Sequence, residues 1–99
     1  MDPKTRQLIT QVMNLCIDIN QETDCSAVFE LASKTLVLRV YANNYHIIGE
    51  RLYSEIIIIS GDDFEQSVFE TDYNTFKTLA LRLIKEQNPV HYQHLKTIY

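Results

Sequence analysis

Residues 27–42 read AVFELASKTLVLRVYA, and this stretch decides the fold. Ala27, Phe29 and Leu31 alternate with Val28, Glu30 and Ala32. Leu36, Leu38 and Val40 then alternate with Val37, Arg39 and Tyr41. A period of two sends successive side chains to opposite faces of a pleated strand. Two such runs joined through Ser33-Lys34 predict a β-hairpin. The joint lacks the Asn-Gly pair that pins a two-residue turn, so the pattern leaves the register open.

Downstream, Asn43-Asn44 ends the second strand. Residues 45–54 are ambiguous, since Ile47 and Ile48 are apolar and Gly49 interrupts them. Glu55 to Ser60 is a strand: four consecutive isoleucines are stiff at χ1 and favour pleated backbone. An exposed edge of that composition would be sticky, so the expectation is a central or paired position. Gly61-Asp62-Asp63 signals a turn. Gln66 to Thr71 reads as a fourth strand with Val68 and Phe69 on opposite faces; a short helix capped by Asp62 or Asp63 is the other reading.

Helices flank this block. Asp2 and Pro3 form a start signal, and Leu8, Val12, Leu15, Cys16 and Ile19 recur at helical spacing, widened by Ile9, Met13 and Ile17. The expected helix runs from about 3 to about 20, followed by a polar joint at Gln21 to Asp24. A second stripe of Tyr73, Phe76, Leu79, Ala80, Leu83 and Ile84 follows a cap at Thr71 or Asp72 and stops at Asn88-Pro89. The tail from Val90 to Tyr99 docks as a last turn or frays. The expected fold is α+β: an N-terminal helix, an antiparallel sheet of three to four strands and a C-terminal helix. With 99 residues, 1–99 is read as a single domain.

Composition narrows function by exclusion. The formal net charge is −4, and the nine basic residues are scattered, which disfavours nucleic acid and anionic membrane surfaces. The longest apolar run, Ile56 to Ile59, is far too short for a membrane helix. No export signal opens the sequence, and Cys16 and Cys25 form no secreted framework, so a cytoplasmic setting with reduced thiols is expected.

Motifs for chemistry are sparse. His91 and His94, with His46, Cys16 and Cys25, lack the paired spacing of a zinc site. Cys16 lies on an apolar stripe, and Cys25 follows Glu22 and Asp24, which oppose a thiolate. Asp62, Asp63 and Glu65 do not follow a calcium-loop pattern and suit turn and capping duties. Gly49 and Gly61 stand alone, so no glycine-rich phosphate cradle exists. The reading therefore assigns no catalytic residue, no metal site and no cofactor. An enzyme built on His46 with Glu50 or Asp62 has no supporting pocket signal.

The tyrosines and the sheet faces are more informative. Tyr41, Tyr45 and Tyr53 cluster around the ambiguous middle segment, and tyrosine suits contact surfaces. Alternation assigns Phe29, Leu31, Leu36, Leu38, Val40, Ile56 and Ile58 to the core. Val28, Val37, Tyr41, Ile57 and Ile59 fall on the opposite face, which is then half apolar where a solvated face would be polar. Either helices cover both faces or the second face meets another molecule. The expected partner-binding residues are Tyr41, Tyr45, Tyr53, Ile57 and Ile59.

The leading helix, the joint Gln21-Glu22-Thr23-Asp24, the hairpin from Ala27 to Ala42, the strand from Glu55 to Ser60 and the Leu-rich helix from Tyr73 to Gln87 form one pattern. It resembles small uncharacterised proteins of phages and prophages in Gram-positive bacteria. The resemblance implies a cytosolic setting, frequent lack of enzyme activity and action on host or phage proteins. The expected function is a non-enzymatic protein-interaction module that binds a protein partner or itself as a homodimer. A small nucleic-acid-associated regulator using Lys77, Arg82 and Lys85 is the alternative.

Overall fold

The structure is a computed structural model, and it describes residues 1–43 and 50–99. Its elements are α1 (Pro3–Glu22), β1 (Ser26–Leu31), β2 (Thr35–Tyr41), β3 (Arg51–Ile58), α2 (Gln66–Gln87) and α3 (Pro89–Leu95).

Helix α1 starts where its sequence signal lies. The Asp2 carboxylate accepts the Lys4 N–H at 2.9 Å, and Pro3 occupies the first helical turn. It ends where Thr23, in extended backbone, sends its hydroxyl to the Ile19 carbonyl at 2.6 Å. The hairpin closes through Ser33-Lys34, with the Ala32 N–H on the Thr35 carbonyl at 2.9 Å. The three strands form an antiparallel sheet in the order β1-β2-β3.

Residues directly opposite in an antiparallel pair share a face. Ala27 pairs with Val40, Phe29 with Leu38, and Leu36 with Ile57. Every buried strand residue belongs to this set or continues it to Ile59. The core joins them to Val12, Leu15, Cys16 and Ile19 of α1 and to Phe69, Phe76, Ala80 and Ile84 of α2. Both long helices thus lie on one face of the sheet, a two-layer slab of 39 × 33 × 16 Å along its principal axes.

Several expectations change. Gln66 to Thr71 forms the first turns of α2, because Phe69 continues the stripe of Tyr73, Phe76 and Ala80 at helical spacing. Glu65 therefore takes the N-cap position expected at Thr71 or Asp72. The four-isoleucine strand, expected to be central or paired, is paired with β2 but stands at the edge of the sheet among the described residues. Its phase is also inverted: Ile57 and Ile59 are 2% exposed in the core, whereas Ile56 is 68% and Ile58 42% exposed. A run of identical apolar residues carries no polar marker of phase, and a register shift at Val40/Tyr41 breaks the count from the hairpin. Leu31, assigned to the core, is exposed at the end of β1. The stop at Asn88-Pro89 holds, and the tail beyond it docks as the short helix α3, started by the Asn88 side chain, which accepts the His91 N–H at 3.1 Å.

Candidate protein-interaction surface

The four described tyrosine and isoleucine candidates are not brought together. Ile57 and Ile59 point into the core and are corrected from surface to structural residues. Tyr53 lies on the helix-covered face, its ring edge-on to Phe76 at 5.6 Å between centroids. Burial, then the nearby Glu55 and Asp72 carboxylates, push its phenol up to about 12. Its hydroxyl is buried without a hydrogen-bond partner among the described residues. Tyr41 sits half-buried on the opposite face. Tyr45, with His46, lies outside the described residues.

The half-apolar second face is present with a changed membership. Val28, Thr35, Val37, Arg39 and Tyr41 are partly exposed there, joined by exposed Ser54, Ile56 and Ile58. No helix among the described residues covers it. Ile56 and Ile58 are the members that sequence reasoning missed. Both alternating sets of β3 mix polar and apolar residues, so alternation alone could not select them.

The outer edge of β3, unpaired among the described residues, adds main-chain groups to this surface. The Ile59 N–H reaches the Lys34 carbonyl at 2.9 Å, which fixes the phase of the ladder. In an antiparallel ladder the residues that bond to a neighbour alternate with residues whose N–H and C=O point away. Tyr53, Glu55 and Ile57 therefore bond to β2, and Ser54, Ile56 and Ile58 turn their main-chain groups to the open side. Beside them lies a hollow of about 270 Å³ lined by Ile56, Ile58, Asp63, Glu65, Val68 and Asp72. The acids were expected to serve turn and cap. Glu65 nevertheless makes no side-chain capping bond, and none of the three acids has an ion-pair partner among the described residues.

Other features are less suited to recognition. A hollow of about 590 Å³ is a wide polar opening lined by Gln21, Glu22, Thr23, Asp24, Ala42 and Gln87. Its side chains are engaged in the fold: Gln87 accepts the Asp24 N–H at 2.7 Å, and Glu22 accepts from Asn88 at 2.8 Å. An apolar groove of about 420 Å³ lies beside β1, with Ile9, Met13, Phe29 and Leu31 among its walls. Cys16 and Cys25 are buried, and burial pushes the Cys16 thiol up to about 12, the opposite of activation. His91 lies 3.1 Å from Asp18 and 3.9 Å from Glu22, tying α3 to α1. Among the described residues no three His, Cys, Asp or Glu converge as a metal site, and no helix is long and apolar enough to cross a membrane. On α2, Lys77 and Lys85 lie over the rings of Tyr73 and Tyr92, and Arg82 is 4.0 Å from Glu86.

Comparison with family models, curated proteins and solved structures gives no match.

Proposed function

We propose that the protein is a non-enzymatic interaction module that presents the helix-free face of its sheet to another protein. One observation carries this reading. The two long helices cover the same face, which leaves Val28, Val37, Ile56 and Ile58 outside the core. A contiguous apolar patch on a sheet face is a common mark of a contact surface. Following the phage resemblance, the partner is a phage or host protein met in the cytoplasm.

The test is a paired variant, Val37→Lys with Ile56→Lys, at opposed positions of β2 and β3. Both side chains lie outside the core, so stability should change by no more than about 1 kcal/mol in sum. Wild-type and variant proteins serve as baits, and sedimentation equilibrium reads self-association. Proteins held by the wild type and lost by the folded variant support the reading. Equal capture and equal association by both would sink it.

A further inference from the structure

We propose that the open edge of β3 accepts an extended, alternately basic and apolar segment of another protein as a fourth strand. The inference rests on the interaction-module reading and names its partner by chemistry. Three observations converge on this edge. Ser54, Ile56 and Ile58 direct their main-chain N–H and C=O groups away from β2, ready for a further ladder. Ile56 and Ile58 send their side chains to the helix-free face. The α2 side of the same hollow carries Asp63, Glu65 and Asp72.

These groups dictate the pattern of the incoming chain. Side chains of an added strand alternate between the two faces of the sheet. Those on the helix-free face meet Ile56 and Ile58 and must be apolar. Those on the other face meet the three carboxylates and must be basic. The same charges argue against a second copy in this place. Pairing β3 with itself would bring two sets of Asp63, Glu65 and Asp72 together in a chain already at net −4. The opposite edge of the sheet is a poorer receptor, because Asn20 already occupies the outward N–H and C=O of Ala27.

The probe is a dye-labelled octapeptide of alternating lysine and valine, with binding read by fluorescence anisotropy on the full chain. Controls are the glutamate–valine peptide and a lysine–valine peptide with one central proline. The lysine peptide should bind at least about tenfold more tightly than either control and weaken with salt. Its amide shifts in nitrogen-15 spectra should centre on Ser54, Ile56 and Ile58. Ile56→Pro removes an outward N–H without touching the β2 ladder, and edge strands tolerate proline; it should abolish binding. If that variant does not fold, Asp63→Asn, Glu65→Gln and Asp72→Asn together carry the test, with an expected loss of about tenfold.

Equal binding of the lysine and glutamate peptides overturns the proposal, as do indifference to proline and shifts centred on β1. Self-association that Ile56→Pro abolishes gives the edge to a second copy and also overturns it. If the peptide fails while the Val37→Lys and Ile56→Lys pair still loses captured proteins, this inference falls and the module reading stands. If that pair loses nothing, the module reading falls with it.

Discussion

The Asn20 side chain takes both outward main-chain groups of Ala27: its Nδ2 donates to the Ala27 carbonyl at 2.9 Å, and its Oδ1 accepts the Ala27 N–H at 2.7 Å. One carboxamide at the end of α1 stands in for a neighbouring strand at the start of β1. The two edges of the sheet therefore differ in kind. One is closed at its start by the chain itself, and the other presents its ladder beside three carboxylates.

Asn20→Ala should remove two hydrogen bonds and leave Ala27 unpaired. The expected loss is about 1–3 kcal/mol. It should appear as a lower urea midpoint with an unchanged slope. An unchanged midpoint would mean that water replaces the carboxamide at no cost.

The inverted phase of β3 gives a sharp contrast between neighbours. Ile57→Ala removes a core side chain and should cost about 2–5 kcal/mol. Ile56→Ala trims an exposed one and should change stability by no more than about 0.5 kcal/mol. Equal losses in denaturant titrations would contradict the observed facing.

Tyr53 holds its hydroxyl in a buried place without a partner among the described residues, while its ring packs on Phe76. Tyr53→Phe keeps the ring contact and removes the unpaired group, whose burial costs about 1–3 kcal/mol. The variant should therefore melt higher than the wild type. A lower melting temperature would show that the hydroxyl has a partner in solution.

Alkaline pH should unfold the protein in a defined window. The Cys16 thiol is raised from 9.0 to about 12 and the Tyr53 phenol from 10.0 to about 12, both chiefly by burial. The unfolded chain loses these protons first, so their contribution is complete below about pH 9 and is lost as pH rises toward about 12. Melting temperature should fall steeply across that range. Cys16→Ala lowers it at neutral pH through the lost packing, yet its decline across the alkaline window should be shallower.

Much of this architecture is legible in the sequence. The Asp2-Pro3 start, the Ser33-Lys34 turn and the alternation of Leu36, Leu38 and Val40 are local signals, and each holds. What was lost depends on distant partners. The buried side of four isoleucines is set by the pairing of Leu36 with Ile57. The edge position of β3 follows from sheet order, which no local pattern encodes. Val68 and Phe69 mimic alternation over a window too short to separate a strand from the first turn of α2. The acids at Asp63, Glu65 and Asp72 looked like ordinary turn and cap residues until α2 placed them along β3.

Apart from Asn20 on Ala27, the polar clasps between the first helix and the rest of the chain span long stretches of sequence. Thr5 reaches Gln66 across 61 positions, Asn88 reaches Glu22 across 66, and His91 reaches Asp18 across 73. The strands, by contrast, are neighbours in sequence and form a meander. During synthesis the hairpin can zip as soon as it leaves the ribosome. Helix α1 is made first and completed last, for its apolar stripe keeps an uncovered side until α2 has emerged. Through that interval the nascent chain carries Val12, Leu15 and Ile19 without their final cover, which marks α1 as the segment a holding chaperone would grasp.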